Sequence, residues 1–160
     1  MGRYRAVLEH IDSLSLSALD QVRDFTLISA LEIAVGHDKS NVVQPTIDLL
    51  LRRLKGEDVS VKIDKAAEAA RAVKANPSDA KEGSGMEYRL EAEANSAKAV
   101  VFAASGHVAS ASYAAAESER YGKFTFYNRR RLAFSEHMAA WDKITETCLR
   151  ALELELGLSG

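Results

Sequence analysis

The sequence predicts an all-α fold, a single-domain bundle of about five to seven helices with an alanine-rich helix at its centre. Three observations carry this. Apolar residues recur at helical spacing through most of the 160 positions. Only 2 prolines and 9 glycines punctuate the chain, which favours a few long helices over many short strands. The stretch Ala94–Glu117, "ANSAKAVVFAASGHVASASYAAAE", is built almost entirely of small side chains, which suits the closest contact line of a helical core.

In chain order, Tyr4, Val7, Leu8 and Ile11 mark a short first helix, followed by the polar turn "DSLSLS". Ser17 stands where an N-cap is expected, with Asp20 three residues on to answer it. The second helix, from about Ala18 to Val35, carries Leu19, Val22, Leu27, Ile28, Leu31 and Ile33. It is apolar over much of its circumference, which predicts a central position. Gly36 is the expected stop. Pro45 fits the first turn of a third helix, where its missing N–H costs nothing, and Gly56 closes it. Asp58 or Ser60 caps a fourth helix to about Ala75, packing through Val61, Ala66, Ala69, Ala70 and Val73.

Residues 76–86, "NPSDAKEGSGM", combine a proline, two glycines and several charges, and predict a flexible loop. Neither side of it carries enough core to stand alone, so residues 1–160 are expected to form one domain. A long helix starts near Met86 and runs through the alanine stretch, with Gly106 marking a bend or break. After a turn at Gly122, the last helix spans about Tyr127 to Leu156. Ala99, Ala103, Gly106, Ser110 and Ala114 give the alanine helix a small-residue face, with Phe134, Met138 and Trp141 as the bulk opposite.

An apolar fraction of 47% with 28% charged residues describes a folded rather than a disordered chain. Basic and acidic side chains are evenly spread and the net charge is −2, so nucleic acid is not an expected partner. One cysteine, Cys148, excludes an intrachain disulfide and a cysteine-based zinc cluster. No segment is apolar for 18 residues, and the polar start "MGRYRAVLEHIDS" lacks the apolar region of a signal peptide. A soluble, cytoplasmic protein is the expectation.

His107 is the residue most suggestive of chemistry, because an imidazole titrates near neutrality. Catalysis would require a nucleophile, an orienting carboxylate or a metal beside it, and nothing local supplies one. A helical histidine bonded to a nearby acceptor is the plainer reading. His10, His37, His107 and His137 fall in no metal-binding spacing, and the glycines of "KEGSGM" belong to no phosphate loop, so neither metal nor cofactor is expected. Cys148 reads as a small core residue.

The segment "FTFYNRRRLAF", residues 124–134, has a different character. Arg129, Arg130 and Arg131 gather at a helix start, where positive charge opposes the helix dipole. They pair with acidic neighbours or, with Tyr127, form a partner-binding patch of residue types that dominate binding hot spots.

Three stretches, "VVQPTIDLLLRRLKGEDVS", "AAEAARAV" and "AASGHVASASYAAAE", together resemble the all-helical immunity proteins of bacterial toxin systems, the immunity-five-like group. The resemblance covers roughly residues 25 to 117 and rests on Pro45, Arg53, Gly56, Glu57, Gly106-His107-Val108 and Tyr113-Ala114. It implies a non-enzymatic protein that binds and blocks a cognate toxin. The alternatives are a self-associating module that dimerises through its alanine face and a metal-dependent enzyme using His107.

Overall fold

A computed structural model describes residues 2–81, 84–123 and 130–157, with the side chains of residues 130–133 outside that description. Among the described residues the chain is all-helical. Its seven α-helices are α1 (Gly2–Ser13), α2 (Asp20–Ala34), α3 (Val43–Leu54), α4 (Ser60–Arg71), α5 (Met86–Ala104), α6 (Val108–Gly122) and α7 (Arg130–Leu156). Every helix contributes to one contiguous apolar cluster, from Leu8 in α1 to Cys148 in α7.

α2 occupies the expected central position, with Val22, Leu27, Ala30, Leu31 and Ala34 almost fully enclosed. Its start differs from the expected capping box. Ser17–Leu19 form a 3-10 turn, Leu19 is the N-cap residue and no side chain caps the helix. Asp20 instead pairs with Arg23 at 3.1 Å. The Arg23 guanidinium reaches back to donate to the carbonyls of Ile11, Leu14 and Leu16, satisfying the chain that leaves α1. Gly36 is not the stop either, since the helix tightens into a 3-10 turn over Val35–His37. The reversal belongs to Asp38, whose carboxylate accepts from the backbone N–H groups of Ser40 and Val43 and so opens α3.

α3 carries Pro45 in its first turn and ends as expected at Gly56, which adopts a left-handed φ of +92°. The Glu57 N–H bonds the Arg52 carbonyl and the Gly56 N–H bonds that of Arg53, the paired closure that a left-handed residue makes possible. Neither Asp58 nor Ser60 is the N-cap of α4. Val59 holds that position without a side-chain cap, and the Asp58 carboxylate accepts from the N–H and hydroxyl of Ser60 just inside the helix. That helix ends at Arg71, four residues short of expectation, and its buried stripe is Ile63, Ala67 and Ala70. Val61, expected in the core, is 66% exposed. A stripe through 63, 67 and 70 follows the helical period, and Val61 lies off it.

The alanine stretch is two helices, not one. Gly106, at φ +74°, closes α5 through bonds from its own N–H to Ala103 and from His107 N–H to Phe102. The chain then folds back as α6, and α5 and α6 form the most extensive helix pair in the molecule. Ala99, Ala103, Ala111, Ala115 and Ala116 are wholly enclosed between neighbours. Ser96 on α5 donates to the Ala34 carbonyl of α2 at 2.9 Å, a bond that only a close approach of the two helices permits. In α7 the buried stripe is His137, Trp141, Ile144 and Cys148, while Phe134, at 51% exposure, lies outside the seam it was expected to fill.

The N-terminus of α6 is capped from another helix. His107 is its N-cap residue but makes no side-chain bond there. Asp12, at the end of α1, accepts instead from Val108 N–H at 2.8 Å and Ala109 N–H at 2.9 Å. One carboxylate thus satisfies two orphan donors and pins α1 to α6. Asp12→Ala is expected to cost about 1–2 kcal/mol of stability in urea unfolding, and Asp12→Asn, which keeps one acceptor oxygen, less. Equal stability of all three proteins would show that this cap contributes nothing.

Candidate functional site

Among the described residues, those singled out by the sequence do not converge on one site. Pro45, Gly56 and Gly106 are backbone punctuation. His107 lies in the turn between α5 and α6, exposed rather than helical, and no bond to its imidazole is seen among the described residues. Tyr127 and Arg129 lie outside the described residues, as do the side chains of Arg130 and Arg131, which open α7. Arg53 makes a bidentate pair with Asp24 of α2, at 2.6 and 2.9 Å, and this contact raises its pKa further. Glu57 pairs with Arg52 at 2.8 Å.

Tyr113 has a more informative setting. It is 39% exposed on α6, and the guanidinium of Arg5 from α1 lies 5.4 Å from its ring centroid. Beneath it are His137 and Trp141 of α7, both 1% exposed. The Tyr113 and His137 rings meet edge to face at 5.8 Å, and the Trp141 ring is tilted against Tyr113 at 6.4 Å.

The buried pair is polar. Trp141 Nε1–H donates to His137 Nε2 at 2.8 Å. An indole nitrogen can only donate, so Nε2 is the acceptor and the proton of the neutral imidazole sits on Nδ1. Nδ1 faces Glu117 Oε1 of α6 at 3.1 Å, yet off the direction of a well-formed hydrogen bond. Arg120 lies 3.8 Å from the same carboxylate oxygen. Burial works to raise the Glu117 pKa, but contact with His137 and the charges of Arg120 and Lys98 outweigh it and hold the carboxyl below its usual range.

A second carboxylate sits on the same helix. Glu119 meets His37 Nε2 at 3.5 Å and Lys123 at 3.6 Å, and chiefly the His37 contact lowers its pKa. Gly122 lies directly against the His37 ring, where a larger residue would overlap it.

Burial pushes the enclosed Cys148 thiol up, away from the reactive thiolate. No group of three or more metal-ligating side chains occurs among the described residues. What the Tyr113 cluster does is hold one half-exposed aromatic ring rigidly between a cation and a buried polar chain. Sequence reasoning missed Glu117 and His137. Their only signal is a pair of i,i+4 spacings, Tyr113–Glu117 and His137–Trp141, on helices that meet only in the fold.

No known protein family, curated protein or solved structure matches the chain.

The lowered values of Glu117 and Glu119 fix the sign of a pH effect. Their contribution is fully present above the ordinary glutamate pKa of about 4.3 and is lost as pH falls through the depressed folded values. Urea midpoints are therefore expected to fall on acidification below that point, and Glu119→Gln is expected to lessen the fall. An identical acid profile in the variant would remove Glu119 from this account.

Proposed function

We propose that this chain is a non-enzymatic binding protein whose partner is a protein, and, by the resemblance in its helical motifs, a bacterial toxin that it neutralises. The observation that carries the binding reading is the presentation of Tyr113. A tyrosine ring held in place before binding loses little freedom on docking, and tyrosine, tryptophan and arginine are the residue types that anchor interfaces. Arg130 opens α7 seven residues before His137, so the arginine cluster begins about 10 Å along the helix axis from the buried support. Tyr127, Arg129, Arg130 and Arg131 are proposed as further contact residues. The alanine face that could have served self-association is occupied within the chain.

The test is affinity capture from the native cell lysate with three proteins of verified helicity: the wild type, Tyr113→Ala and Arg129/Arg130/Arg131→Ala. One captured protein is expected, held at least tenfold more weakly by Tyr113→Ala, a loss of about 1.4 kcal/mol. Expression of that protein alone should arrest growth, and co-expression of this chain should restore it. Capture of copies of the chain alone, or a partner whose effect on growth is unaltered, would contradict the reading.

A further inference from the structure

The chain Trp141–His137–Glu117 has a property separate from what the protein binds. His137 is enclosed, its Nε2 lone pair is occupied by Trp141, and its Nδ1–H points imperfectly at a carboxylate. The neutral imidazole is the only form compatible with this arrangement. A proton taken from solvent must bond to Nε2, and that nitrogen would then face Trp141 Nε1–H donor to donor at 2.8 Å. The imidazolium would be favoured on its other side, where the Glu117 carboxylate is 3.1 Å from Nδ1. The two neighbours thus pull in opposite directions, one requiring the neutral ring and one rewarding the charged ring.

The surrounding charges are few. From α6, Glu117, Arg120 and Tyr113 face the imidazole or its carboxylate. From α5, Lys98 acts on Glu117, and from α1, Arg5 covers Tyr113. α2 packs on α7 through Ser29, which bonds Thr147, and its buried carboxylate Asp24 is tied to Arg53.

We propose that Trp141, His137 and Glu117 form a proton-operated latch between α6 and α7. Protonation of His137 breaks its bond to Trp141 and closes an imidazolium–carboxylate pair with Glu117. The Trp141 ring and the Tyr113 ring resting on it are then freed, while the helices stay folded. Tyr113 is the half-exposed cover through which the proton reaches the site. Elsewhere on α6 the titratable contacts are Asp12, which caps its N-terminus, and Glu119, which meets His37 and Lys123.

The protein carries its own reporter, since Trp141 is the only tryptophan. Its emission is to be followed in the full-length chain from pH 8 to pH 5, the range in which histidines titrate, with far-ultraviolet circular dichroism alongside. The expected result is a change in emission of about twofold with a one-proton slope and constant helicity. His137→Gln, which keeps an acceptor for the indole but cannot titrate, should give a flat profile. Glu117→Gln should move the midpoint to lower pH by about one unit, as loss of a neighbouring opposite charge requires. A flat wild-type profile, an emission change that appears only with loss of helix, or a His137→Gln profile like the wild type would each overturn the proposal. If either variant fails to fold, nitrogen-detected imidazole spectra of the wild type decide. The Nδ1–H tautomer at pH 8 supports the latch, and the Nε2–H tautomer overturns it.

Discussion

The reversal at Gly106 is the constraint on which the rest of the structure depends. Without a residue able to adopt φ +74° at that point, the alanine-rich run from Met86 to Gly122 would continue as one rod, with a face of small side chains open to solvent. An alanine there would bear the left-handed penalty of about 1–2 kcal/mol. With the turn in place, α5 and α6 fold against each other and α2 enters beside them. Contacts made through alanine and serine let helix axes approach to roughly 8 Å. The Ser96 bond to the Ala34 carbonyl and the enclosed Ala103, Ala111 and Ala115 are the result. Asp12 then locks the turn by capping α6 from α1, so the helix most distant in sequence from α7 is drawn into the same seam.

This arrangement determines which surface is left for recognition. Because the small residues are spent internally, α6 turns its remaining face, with Tyr113, Glu117 and Arg120, toward α7 and its edge. Tyr113 is thereby seated on Trp141 and His137 instead of lying free on a helix surface. A half-exposed aromatic supported by a buried polar chain is costly to hold unless the polar atoms find partners. Trp141 Nε1–H and His137 Nε2 satisfy each other at 2.8 Å, whereas His137 Nδ1 has only an ill-directed approach to Glu117. The support also makes the ring sensitive to the protonation state beneath it.

Much of the fold was legible because it is written in local periodicity. The buried face of α2 and the glycine closures at Gly56 and Gly106 follow from spacing and backbone preference alone. What escaped depends on contacts made across the fold. Ser17 and Asp20 have the chemistry of a capping box, but Arg23 draws Asp20 into an ion pair and fills the loop carbonyls itself. Asp12 and Val108 are 96 residues apart, a distance at which no sequence spacing signals a cap. The α4 stripe was misplaced because several alanines and valines offered competing registers, and packing chose Ile63. The site shared that fate. Tyr113 stood out as a motif residue, whereas His137 and Glu117 became a unit only when α6 met α7.

The account rests most directly on the tightness of the seam that the Gly106 turn creates. The measurement is the urea-unfolding stability of Ala103→Leu, a residue on α5 that is wholly enclosed, together with its mass in solution. The account predicts a loss of roughly 1–3 kcal/mol from overpacking, with the mass of the wild type retained. Unchanged or increased stability would mean that the helices do not meet there at alanine distance, and the description of how Tyr113 is held would fall with the seam.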